Sequence, residues 1–204
     1  MTKTEEIWNK LLEEGFNNKQ AKEIVEGLAK GLDVSVYSKQ EFDDLQMREI
    51  RDGLRDNLDV SIYAKPEFDY GQMRVIHRGL KKHLDVSIYA KPEFRINKMY
   101  KILEGLEEGL DVSVYAKPEF DIDQMTQIFE GLKEGLDVSV YAKPEFASNQ
   151  MYVIRDGLKF GFNVSIYAKP EFDVEQMRQI FNGLLAESNR NKNLNSITYI
   201  MRGN

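Results

Sequence analysis

Cysteine is absent from all 204 residues. That excludes disulfide staples and thiolate metal sites. Histidine is nearly absent: His77 and His83 are the only two. Six residues separate them, so they fall on different faces of a helix, and no third ligand is evident. Nothing here supports a metal centre or a histidine-activated nucleophile. No run of eighteen apolar residues occurs, so no segment reads as a membrane-spanning helix. No glycine-rich phosphate loop occurs either; Gly105-Leu106-x-x-Gly109 and its copies read as glycines at helix ends. The opening MTKTEEIWNKLLEEG is acidic and amphipathic, unlike a secretory signal, and a cytoplasmic protein is expected. Asn163-Val164-Ser165 matches a glycosylation sequon, but it is one repeat's version of Asp-Val-Ser. Enzymatic activity, cofactors and small-molecule substrates are not expected.

Net charge is −6, which argues against general coating of nucleic acid. The charge is uneven, however. Lys65 to Lys101 holds nine Lys/Arg against four Asp/Glu, a local surplus of five positive charges that leaves −11 elsewhere.

Repetition fills the space these absences leave. Leu32, Leu58, Leu84, Leu110, Leu136 and Phe162 are 26 residues apart each time, and so are Met47, Met73, Met99, Met125, Met151 and Met177. An unbroken period implies units that stack in one way. The array runs from residue 16 to 186; residues 1–15 read as an N-terminal capping helix. Residues 187–204 read as an Asn-rich loop, over 187–195, and a C-terminal cap or tail in which Ile197, Tyr199, Ile200 and Met201 fold back on the last unit.

Within a unit, Asp121 is a good N-cap and Gln124 completes a capping box. Asp43/Gln46, Asp69/Gln72, Asp173/Gln176 and Asn17/Gln20 repeat the pairing. Met125, Ile128 and Leu132 follow on one helical face. The slot that ends the helix holds Gly31, Asn57, His83, Gly109, Gly135 or Gly161, all residue types that tolerate positive φ. A helix of about 13 residues is predicted. Asp-Val-Ser-x-Tyr-Ala-Lys-Pro then reads in two ways. As a strand it would make a leucine-rich-like solenoid. As a short second helix, Asp caps it and Lys-Pro stops it. The cap slot accepts only Asp or Asn, which favours the helix. The predicted fold is therefore all-α, a right-handed-type α-solenoid of about six to seven units; the strand–helix solenoid is the alternative. The recurrent serines, such as Ser61 and Ser139, read as local hydrogen-bonders, and the Lys-Pro-Glu edges as solvated, largely self-cancelling charge.

The unit Gln-Met-x-x-Ile-x-x-Gly-Leu-x-x-Gly-Leu-Asp-Val-Ser-x-Tyr-Ala-Lys-Pro-Glu-Phe-Asp resembles a 26-residue helical-repeat family of uncharacterised bacterial proteins, often from mobile elements and phages of Gram-positive bacteria. The resemblance covers about Phe16 to Leu184. It brings no activity, catalytic residue or cofactor. It implies a cellular address, the accessory genes of a mobile element or phage, which often include inhibitors of host defence.

Some slots change while the framework holds. The residues after Met, Ile and Leu form a stripe: Arg48/Arg51/Arg55, Arg74/His77/Lys81, Tyr100/Leu103/Glu107, Thr126/Phe129/Lys133, Tyr152/Arg155/Lys159 and Arg178/Phe181/Leu185. Arg, Tyr and Phe suit interface anchors. Equally, the stripe reads as half-buried core between successive helices. The candidate partner-contact residues are Arg48, Arg51, Arg74, His77, Arg78, Lys81, Tyr100, Lys101, Phe129, Tyr152, Arg155 and Arg178. The expected role is a non-enzymatic protein-binding scaffold that blocks or sequesters a host protein. Two alternatives stand beside it. One is nucleic-acid binding through residues 65–101, with Arg74, Arg78, Lys81, Lys82, Arg95, Lys98 and Lys101 on phosphates. The other is a structural or self-assembling array.

Overall fold

A computed structural model describes residues 2–202, with side chains to residue 192. Among the described residues there are eight α-helices and no strand, so the strand–helix solenoid is not supported. The chain divides into two compact units, Met1–Gly109 and Leu110–Asn204. The first holds α1 (Lys3–Glu13), α2 (Asn18–Ala29), α3 (Asp44–Arg55), α4 (Tyr70–Lys81) and α5 (Ile96–Glu107). The second holds α6 (Ile122–Lys133), α7 (Ser148–Lys159) and α8 (Val174–Arg202). Within each unit every helix packs on the next in chain order, as stacked helical repeats do.

Each internal helix from α2 to α7 is twelve residues long. The capping boxes start them: Asp121 Oδ1 accepts from the Gln124 N–H at 2.7 Å, and Gln124 Oε1 accepts from the Asp121 N–H at 2.8 Å. Two helices depart from this. Arg95 gives α5 no side-chain cap, and Ala147 leaves α7 with only the Gln150 half of its box. At the other end the positive-φ slot is occupied as the residue types require, with Asn57 at φ 56° and His83 at φ 57° among the glycines. His83 is therefore accounted for by backbone geometry. The Leu58 N–H then returns to the Gly53 carbonyl at 3.0 Å, closing a Schellman-type end.

The Asp-Val-Ser segment is a single 3₁₀ turn, as at Val60–Ile62. Asp59 Oδ1 takes both the Ser61 N–H, at 3.1 Å, and the Ser61 hydroxyl, at 2.6 Å. This double bond explains why the slot is Asp or Asn and why serine recurs. Tyr63 follows, wholly buried, and its hydroxyl donates to the Glu49 carbonyl at 3.3 Å. Tyr37, Tyr89, Tyr141 and Tyr167 do the same, each to a carbonyl 14 residues earlier. Burial pushes the phenols of Tyr37 and Tyr167 up to about 12. The glycine four residues beyond each of these carbonyls has a purpose here. A Cβ on Gly53 would stand 1.9 Å from the Tyr63 hydroxyl and 2.8 Å from Val60 Cγ1. Glycine leaves the room that tyrosine fills.

The glutamines of the capping boxes also join successive repeats. Gln46 Nε2 donates to the Phe68 carbonyl of the following repeat at 2.7 Å, and Gln72 to that of Phe94 at 2.8 Å. Phe42, Phe68, Phe94, Phe120 and Phe146 are buried, and Lys39, Lys91 and Lys117 each lie over a phenylalanine ring of their own edge.

The first helix is capped by Thr2, with Glu5 completing the box. The Asn-rich stretch 187–195 is not a loop: α8 runs unbroken to Arg202. Glu187 occupies the slot that holds glycine in Gly135 and Gly161, and no proline follows. Asparagine and serine are poor helix formers but do not stop a helix. The predicted fold-back of Ile197, Tyr199, Ile200 and Met201 lies outside the residues with described side chains.

Candidate interaction surface

The variable stripe has two depths. In α3, α4, α5 and α7, the residue after Met stands at the rim of the joint with the preceding helix of its unit, and the residue after Ile stands further in. Arg51 and His77 are buried, as are Leu103 and Phe129 at the same slot. Arg51, His77 and Phe129 therefore do not offer themselves to a partner as expected; the slot points inward at helical spacing. Arg155 is only partly exposed there.

What these residues face is set by the slot two after Met in the preceding repeat. At the α2–α3 joint Glu23 receives Arg51 at 2.5 Å and Arg48 at 3.3 Å, while Arg51 also pairs with Glu26. At the α3–α4 joint Glu49 Oε1 faces His77 Nδ1 at 2.5 Å. Asp56 faces His77 Nε2 at 3.3 Å and accepts from Lys81 at 2.7 Å. Both ring nitrogens meet carboxylates, and the bond to Glu49 chiefly holds the imidazole pKa above its ordinary value. Lys81 chiefly lowers that of Asp56 to about 2. At the α4–α5 joint the same two slots hold Val75 and Leu103, both buried. At the α6–α7 joint they hold Gln127 and Arg155. Gln127 Oε1 and two nitrogens of Arg155 are buried there without hydrogen-bond partners. At the α7–α8 joint they hold Val153 and Phe181. At these five joints within the two units, polar faces polar and apolar faces apolar.

Several candidates remain on the surface. Tyr100 and Tyr152 are exposed, the latter beneath the Arg155 guanidinium. Arg178 is exposed, and Lys101 is half-buried and paired with Glu104 at 2.7 Å. Arg48 and Lys81 are exposed but already hold Glu23 and Asp56.

In the first unit the structure brings one group of candidates together. Glu49, Arg74, His77, Arg78, Lys81 and Lys82 line a pocket of about 430 Å³. Arg78 also borders a second pocket, of about 370 Å³, with Tyr100, Leu103, Glu104 and Glu107. Arg78 and Lys82 converge on Glu107 at 2.9 and 3.0 Å. Glu49, Leu103, Glu104 and Glu107 are the members the sequence did not list as contacts, and Lys82 was listed only for phosphate. For Leu103, Glu104 and Glu107 the available signal was their helical spacing from Tyr100.

Compared with protein-family models, with curated proteins and with solved structures, the chain gives no match. Among the described residues no helix is long and apolar enough to cross a membrane.

Proposed function

We propose that the chain is a non-enzymatic protein-binding scaffold whose contact surface is the α4–α5 groove of the first unit. The observation that supports this is the pair of pockets sharing Arg78: a cationic one around Arg74, Lys81 and Lys82, and one with Tyr100 exposed at its edge. Arginine and tyrosine are the side chains that most often anchor protein interfaces. Gln72 of α4 binds the Phe94 carbonyl just ahead of α5, which ties the two sides of that groove together while its residues differ from repeat to repeat. With the address implied by the family resemblance, the partner would be a host protein that the array blocks or sequesters.

The second reading is phosphate contact by the same cations. Its support is their convergence on one pocket. Against it, Arg78, Lys81 and Lys82 are already held by Glu107 and Asp56. Nucleic-acid binding would collapse between low and moderate salt, whereas an apolar-anchored interface would weaken less.

The test uses partner captured from host cytoplasm and then purified. Arg74→Ala and Tyr100→Ala should each weaken binding by more than about 1 kcal/mol in calorimetry. Unfolding free energy should stay within about 0.5 kcal/mol of the parent. Unchanged affinity in both variants would move the contact surface elsewhere.

A further inference from the structure

The pocket beside α4 contains one cation whose counterpart has been taken. In the preceding joint, Glu23 serves Arg48, 25 residues later, and Arg51, 28 residues later. In the next joint the corresponding carboxylate is Glu49 and the corresponding cations are Arg74 and His77. Here Glu49 pairs with His77 alone. Arg74 makes no hydrogen bond or ion pair among the described residues, stays exposed, and lies on the pocket wall. The other cations of that wall are matched: Lys81 by Asp56, Arg78 and Lys82 by Glu107.

We propose that this pocket receives a single carboxylate, carried by an acidic side chain of the partner protein and clamped by Arg74. This rests on the protein-binding reading above. A guanidinium presents a planar fork that matches a carboxylate in two parallel bonds. The charge surplus is small, because all the other cations have acids beside them. One negative charge is satisfied there; a phosphate chain running along the groove would meet Glu49, Glu104 and Glu107. The adjoining pocket, with Tyr100 and Leu103, adds a requirement for an aromatic or aliphatic residue beside the acid.

The experiment follows arginine Nε–H resonances of the full chain by NMR, the Arg74 signal being assigned by its loss in Arg74→Gln. The probes are a capped hexapeptide with one glutamate beside one phenylalanine, the same peptide with glutamine for glutamate, inorganic phosphate, and an oligothymidylate. The glutamate peptide should shift the Arg74 resonance saturably at millimolar concentration or below. Binding should weaken at least about tenfold with the glutamine peptide, and likewise for the glutamate peptide on Arg74→Gln, read there from the Arg78 resonance of the same wall. No saturable shift by about 10 mM, or equal binding of the two peptides, overturns the proposal. Tighter binding of phosphate or oligothymidylate than of the glutamate peptide overturns it in favour of a phosphate site. If the peptide fails while Tyr100→Ala still abolishes capture of the purified partner, only the carboxylate inference falls. If neither Arg74→Ala nor Tyr100→Ala affects that partner, the protein-binding groove falls with it.

Discussion

His77 shows how one side chain can do the work of a joint. It is buried, its ring stacks parallel to that of Tyr63, and both nitrogens meet carboxylates. Its pKa is raised by folding, so its contribution to stability is complete below its ordinary value of about 6.5 and is lost as pH climbs through the raised value. Asp56 acts in the opposite sense. Held down to about 2, it adds stability above the ordinary carboxylate range and loses it as pH falls toward 2. The parent should therefore lose stability from about pH 6.5 upward, seen as a falling urea midpoint. His77→Gln should remove most of that slope. An identical pH profile in the variant would mean that the imidazole is not charged in the fold. Little of this is legible from the two histidines as residues. His83 was readable as a positive-φ residue from its slot alone. His77 was readable only as a stripe residue, because its acid lies 28 positions away on another helix.

The helix starts were the most legible part of the fold, because caps and glutamines are local chemistry and local chemistry sits in local sequence. Where a cap is missing, its value can be measured by restoring it. Ala147 already has extended N-cap geometry, φ −66° and ψ 153°, and Gln150 already accepts its N–H. Ala147→Asp should stabilise the protein by about 0.5–2 kcal/mol in denaturant titration. No gain would mean that the helix start is held by packing alone. The tyrosine–glycine fit was not legible, since nothing in a sequence says which glycine faces which hydroxyl. It predicts a coupling at Gly131, where a Cβ would lie 1.9 Å from the Tyr141 hydroxyl. Gly131→Ala should cost about 1–3 kcal/mol by overpacking. Tyr141→Phe alone should cost about 1 kcal/mol. Adding it to Gly131→Ala should recover part of the first loss, so a strictly additive double-mutant cycle would refute the fit. Residues 187–195 stay helical for a plain reason: asparagine lowers helix propensity without stopping a helix, and Glu187 stands where Gly135 and Gly161 end theirs.

Across the array, the framework is uniform and the joints are not. That makes a repeat removable in geometry but not in chemistry. Deleting residues 58–83 removes one whole 26-residue repeat and joins Asn57 to Leu84 in frame. The framework tyrosine and glycine remain matched, Tyr89 now meeting Gly53. The joint does not: Glu49 comes to face Leu103, as Val75 does in the parent. Glu49→Val should then have opposite signs in the two backgrounds. In the parent it strips His77 of its closer carboxylate and should destabilise by about 2 kcal/mol or more. In the shortened chain it removes a buried charge without a partner and should stabilise. The same sign in both would mean that the joint pairings carry no weight. The period of 26 announced the stacking, and the slots that vary were visible too. Their partners were not, because a variable slot looks equally like a surface selected by a binder and an interior selected by its neighbour.

The short reach of these bonds bears on how the chain acquires its structure. Among the described residues the side-chain bonds between repeats join positions no more than 29 apart. Contacts this local allow fast folding that can begin at several repeats at once. They also create a trap, since a nascent repeat finds in any other copy, on its own chain or on a neighbouring one, a framework almost as welcoming as its proper neighbour's. The unlike pairs at the joints discriminate against those encounters: Glu49 against a leucine or Arg51 against a valine leaves a charge buried alone, and the mistaken pairing comes apart.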